Sequence, residues 1–359
     1  MRTTKTIGRF GIGILGIFLA GSVVGCAADA AEGGEDEVLG QTQQAASVVS
    51  PCVSNGSKDL CSGALMSFSD GTYVRYWRSH ALSGDGRGIE RAVVVVHGAA
   101  RNPWAYFDHV QDAAALEGVR SSTIVIAPYF PTAEDAGSNE RYWDENGWKQ
   151  GDLDLKKKAI SSFAVVDHIV GRLTDKRYFP DLKSIAISGH SAGGQFTQRY
   201  AAASPSPPAG YAIRYVVANP SSYMYLDDRR PSGFGFVHPL AATDRPCYVT
   251  SFNDYKYGLE RANAYVRQND RSTLISRYKS RNVIYLLGTA DTSTEKEDAV
   301  DTSCPAKLQG SNRLERGRNF DAYMEIVHKT YHRRIEVVGV GHDGEAMFQS
   351  LGGRMALFR

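Results

Sequence analysis

From residue 64 onward, short strand-like runs rich in apolar residues alternate with longer stretches in which apolar residues recur every three or four positions. The short runs 92–96, 123–127, 184–187, 213–218, 283–287 and 335–338 read as strands, and 92–96 and 123–127 suit strands covered on both faces. Residues 65–69 and 72–79 alternate around Asp70-Gly71, a hairpin turn signal. The 3.6-residue period predicts helices over 103–117, opened by Pro103 and closed by Gly118, and over 161–173, where Phe163, Val166, Ile169 and Val170 share a face. Further helices are expected over 195–203, 320–331 and 345–358. Strand and helix thus alternate, the pattern of an α/β protein with a mostly parallel sheet and helices on both faces. Between 221 and 282 the periodicity weakens, and that stretch is expected to cover part of the sheet edge or the cleft. A long loop over 128–152 carries Tyr129, Phe130, Tyr142, Trp143 and Trp148. Loops of that length inside a folded unit tend to serve function or to pack as a flap.

The first 50 residues break the alternation. Arg2, Lys5 and Arg9 precede the apolar run FGIGILGIFLAGSVV, which is too short and glycine-rich for a spanning helix and reads as a secretory leader over 1–25. Val23-Val24-Gly25-Cys26 resembles a bacterial lipobox, which implies lipidation of Cys26 and a membrane anchor at the cell envelope; the alternative is a plain leader with an incidental cysteine and a secreted protein. Residues 26–50 hold Asp29, Glu32, Glu35, Asp36 and Glu37 with no basic residue, a composition too polar to bury a core and suited to an extended tether. Residues 51–359 are then expected to form one domain.

Export changes how the cysteines are read. Four remain after Cys26, and an oxidising compartment favours disulfides: Cys52 with Cys61 as the local pair and Cys247 with Cys304 as the long-range one. Asn55-Gly56-Ser57 matches a glycosylation sequon, which a bacterial leader makes a chance match. The 359-residue chain has a formal net charge of +2 with 22% charged residues, and its scattered basic positions exclude nucleic acid as a partner. A monomer is expected.

Residues 184–194, SIAISGHSAGG, run a strand pattern directly into a serine held between glycines. Strand, Gly189-His190-Ser191-Ala192-Gly193, helix is the layout of a nucleophile elbow, in which a tight reversal leaves the serine strained and exposed. The Ala192 amide, at the helix N-terminus, then faces charge growing on an attacked carbonyl. A serine needs a base, and the base needs a group to orient it.

Here the chain resembles the α/β-hydrolase family, from about residue 65 to the end. The resemblance implies the order nucleophile, acid, histidine, with the last two in loops after late strands. NVIYLLGTADT places Asp291 in one such loop and RRIEVVGVGHDG places His342 in the other. Ser191, Asp291 and His342 are thus the implied triad, with Asp298, Asp301 and Asp343 as rival acids and His332, His328 and His97 as rival bases. HGAARN resembles the family's oxyanion loop and implies the Ala99 amide as second donor beside Ala192, with Ala100 as alternative; Arg101 either orders that loop or meets an anionic substrate. The aromatic loop makes Tyr129, Trp143 and Trp148 candidate substrate-binding rings or a packed flap. The implied reaction is hydrolysis of a small or polymeric carboxylic ester through an acyl-enzyme, without metal or organic cofactor. A peptidase or amidase on the same fold, or a surface-binding lipoprotein, are the alternatives.

Overall fold

The computed structural model describes Cys52, Cys61 and residues 64–206, 208–233, 235–239, 247, 249–296 and 298–359. The leader, Cys26, the acidic tether and the Asn55 sequon lie outside them. The apolar runs form strands, each within a residue or two of the pattern at its amino end: β1 (Ala64–Ser67), β2 (Tyr73–Arg78), β3 (Arg91–Val96), β4 (Thr123–Pro128), β5 (Ser184–His190) and β6 (Ala212–Ala218). A small separate hairpin follows, β7 (Arg230–Ser232) with β8 (Gly235–Val237), and then β9 (Asn282–Gly288) and β10 (Arg333–Val337). Among the described residues, eight strands make one sheet in the order β1-β2-β4-β3-β5-β6-β9-β10. The pairs β1/β2 and β2/β4 are antiparallel, and every other pair in it is parallel.

Eight α-helices accompany the strands among the described residues: α1 (Pro103–Leu116), α2 (Ser162–Leu173), α3 (Ala192–Ala203), α4 (Arg271–Ser280), the single turn α5 (Cys304–Lys307), α6 (Arg313–Ile326), α7 (Gly344–Gln349) and α8 (Leu351–Phe358). Alternation along β3 explains the two-layer cover. Val94 and Val96 belong to the core shared with α2, α3, α4 and α6, while Val93 and Val95 belong to the opposite core under α1, α7 and α8. A strand with both faces enclosed favours apolar residues on each side, which is why the run in β3 is continuous. Both expected disulfides, Cys52–Cys61 and Cys247–Cys304, are present.

Three helical expectations need correction. α3 starts at Ala192, not 195, because the turn at Ser191 feeds the helix without a spacer. α6 covers Arg313–Ile326 rather than 320–331: Asn312 caps its start by accepting the Glu315 amide, and Lys329, at φ 52°, cannot continue a helix. The last helix is two, since Ser350 turns extended and its hydroxyl accepts the Gly353 amide. The unassigned 221–282 stretch contains β7, β8 and α4, whose start is capped by Asp270 on the Thr273 amide.

Candidate active site

Ser191 occupies the sharp turn between β5 and α3, at φ 58° and ψ −118°, a left-handed backbone that a serine enters only under tight constraint. The constraint is close approach. A side chain at Gly189 would collide with the Gly193 backbone, and one at Gly193 with the carbonyls of Val96 and His97. The Ser191 amide donates to the Ala218 carbonyl at 2.9 Å, fixing the turn to the end of β6.

The loops after β9 and β10 bring two more side chains to the same sheet end. His342 Nδ1 donates to Asp291 Oδ2 at 2.7 Å, and in that tautomer Nε2 accepts the Ser191 hydroxyl at 2.9 Å. Asp291 is buried at 2% exposure, whereas His342 keeps an open edge. Burial leaves the carboxylate dependent on fixed partners. Arg313, also buried, supplies one from the far side: its Nη1 lies 3.3 Å from Asp291 Oδ1, and its Nη2 donates to the Asp298 carbonyl at 2.7 Å. Asn219, at the end of β6, joins the two loops. Its Oδ1 accepts the Gly288 amide at 2.8 Å and its Nδ2 donates to the Gly341 carbonyl at 3.3 Å.

The rivals are engaged elsewhere. Asp343 caps α7 by accepting the Glu345 and Ala346 amides, and Asp301 accepts Tyr257 Oη at 2.7 Å and faces Lys256 Nζ at 3.4 Å. Asp298 accepts Ser293 Oγ. His97 is enclosed, donating from Nδ1 to the Gly98 carbonyl and accepting the Phe130 amide at Nε2; burial pulls it down to about 3. His332 bonds Tyr285 Oη and burial pulls it to about 4, and His328 bonds Tyr323 Oη. His190, whose ring lies 4.5 Å from that of His342, is held well below the ordinary histidine range by burial and then by His342 itself.

A cavity of about 350 Å³ opens beside Ser191, lined by Ala99, Ala192, Gln195, Lys149, Lys256 and Lys296 among others. Ala192 is the first residue of α3, so its amide has no intrahelical acceptor. Ala99 reaches the same cavity from the loop after β3. Ala100 lines an adjoining cavity, which shares Ala99 and Glu145. Among the described residues no three His, Cys, Asp or Glu side chains cluster to hold a metal ion.

No protein-family model matches the chain, and no curated protein matches it significantly in sequence. Solved structures do match in shape. LpqC, a poly(3-hydroxybutyrate) depolymerase from Bordetella parapertussis, superposes with a TM-score of 0.55 over 80% of this chain and 88% of its own, at 20% identity. Poly(aspartic acid) hydrolase-1 from Sphingomonas sp. KT-1 does so with a TM-score of 0.59 over 82% and 97%, at 23% identity. The fold is the α/β-hydrolase fold.

On that hydrolase fold the aromatic loop is a packed flap, which corrects the expectation that Tyr129, Trp143 and Trp148 offer open faces to substrate. The three are only 6%, 1% and 1% exposed. Trp148 packs on His97 and stacks on Phe130, Trp143 meets Phe130 edge-on and donates from Nε1 to the Asp152 carbonyl, and Tyr129 meets Trp77 edge-on. Rings of that size gain more from full burial than from a solvent-facing cleft wall. Arg101 orders the loop: its guanidinium donates to the carbonyls of Phe130, Trp143 and Asp144. Sequence reasoning missed Arg313, Asn219 and the cavity lysines. Each is a polar residue in a loop or at an element's end, where periodicity carries no signal.

Proposed function

We propose that the protein is a serine hydrolase that cleaves carboxylic esters, exported and held at the cell envelope through lipid on Cys26. The observation that carries this reading is the hydrogen-bond chain Ser191–His342–Asp291 beside a cavity lined by Ala99 and Ala192.

In the proposed reaction Ser191 Oγ adds to the ester carbonyl carbon while its proton passes to His342 Nε2. The carbonyl π pair moves to oxygen, where the Ala192 and Ala99 amides donate to the resulting oxyanion. Collapse breaks the carbon–oxygen bond to the alcohol, which leaves with the proton from His342 and gives the acyl-enzyme. Water then repeats the sequence, its proton taken by His342 and returned to Ser191 as the carboxylic acid departs. Asp291 holds the imidazole in the required tautomer and balances its transient charge.

The two neighbours are named for a polyester and for a poly(amino acid), and a shared fold leaves the choice between ester and amide to the site. A fluorophosphonate probe and p-nitrophenyl esters test the reading on the folded protein. Labelling and turnover are expected for the native chain, with turnover reduced at least about a thousandfold and labelling lost in Ser191→Ala. Faster cleavage of amino-acid amides than of esters would make it a peptidase, and no labelling of folded native chain would leave the binding-protein reading.

A further inference from the structure

The cavity beside Ser191 carries more positive charge than an ester of two neutral parts requires. Lys149, Lys256 and Lys296 line it, against the carboxylates of Glu145 and Asp301. Asp301 is already committed, with Lys256 Nζ at 3.4 Å, Tyr257 Oη at 2.7 Å and the Ser303 amide at 3.1 Å. Lys149 makes no ion pair among the described residues, and burial, with Lys256 and Arg199 nearby, pulls it down to about 8.

Arg199 shows that this charge is built in. It lies on α3 one turn beyond Gln195, is fully buried, and has no carboxylate within ion-pairing distance among the described residues. Instead its guanidinium donates to the Lys149 carbonyl at 3.0 Å, the Lys256 carbonyl at 3.4 Å, Gln195 Oε1 at 3.1 Å and Ser222 Oγ at 3.2 Å. One buried cation thus ties the two lysine-bearing backbones to the helix that follows the nucleophile. Burying a guanidinium without a counter-ion is costly even when its donors are satisfied. An anion bound in the cavity would supply the missing charge.

Resting on the hydrolase reading, we infer that the preferred substrate carries a carboxylate close to the scissile ester, held by Lys149, Lys256 and Lys296 above Arg199. The charge could sit on the acyl part or on the alcohol part, and matched pairs distinguish the two. One pair is p-nitrophenyl butyrate against p-nitrophenyl hydrogen succinate. The other is the butyrate ester of methyl 4-hydroxybenzoate against that of 4-hydroxybenzoate. In one pair the anionic member is expected to lead by about tenfold in kcat/KM, mainly through KM, the scale of one charge-assisted hydrogen bond. That lead should shrink at least about fivefold in Lys149→Gln, in the rim variant Lys296→Glu, and at high salt. Brisk hydrolysis with the neutral ester equal or ahead in both pairs would overturn the inference and leave the hydrolase standing. A lead that survives both variants would also overturn it. Absence of any ester turnover, with no fluorophosphonate labelling, would instead remove the reading beneath it.

Discussion

At the scale of single residues, Asp291 is held from two sides. His342 takes one carboxylate oxygen and Arg313 faces the other, both pairs away from water on the Asp291 side. Arg313 touches neither the serine nor the cavity, so it acts as a positioning residue. Replacing it with glutamine leaves a buried carboxylate short of a cation, which costs about 3–5 kcal/mol where such pairs have been broken. Arg313→Gln is therefore expected to lower the unfolding midpoint and to cut kcat by roughly tenfold or more with little change in KM, as the imidazole loses its fixed tautomer. Arg313→Lys should recover part of kcat. Stability lost with kcat untouched would reduce the pair to a structural tie.

Elements show what the chain announces and what it hides. Strands were legible because enclosure on both faces forces continuous apolar runs, as in β3 and β4, whose Ala92–Val96 and Thr123–Pro128 residues are all buried. The elbow was legible because glycine at 189 and 193 answers a steric demand that no other residue meets. α4 was not, since only Leu274 and Tyr278 of its ten residues are buried, too few to set a period. Nor were the cavity lysines, whose partnership with Arg199 runs through backbone carbonyls and leaves no trace in residue type. Aromatic density in the 128–152 loop left two readings open for a different reason: the same rings serve a cleft or a core, and only burial separates the two. Trp148→Ala is accordingly expected to destabilise the fold by about 3–5 kcal/mol in denaturant unfolding while leaving KM nearly unchanged. A raised KM without loss of stability would return the ring to the substrate.

For the whole molecule, buried histidines set the acid limit. His97, His190 and His332 are held neutral by burial, at about 3, well below the ordinary range, and at about 4. Unfolding restores each to about 6.5, so between pH 6.5 and 4.5 the unfolded chain binds protons that the folded chain refuses. Stability is therefore full above pH 6.5 and falls as pH drops. Asp152 and Asp167, raised by burial, work in the opposite sense but only nearer the carboxylate range. The slope of unfolding free energy near pH 5.5 is expected to report at least two protons, about 2.7 kcal/mol per pH unit. A flat profile would mean that these rings are already charged when folded.

The order of the three hydrogen-bonded residues along the chain has a consequence for how such a protein is made. Ser191 is synthesised 151 positions ahead of the imidazole it donates to, and that imidazole follows the strand added at the outer border of the sheet. A growing polypeptide thus exposes its hydroxyl long before anything can draw the proton from it. On the proposed mechanism, chemical competence would arrive only with the final border strand, and the unfinished chain would pass through synthesis inert.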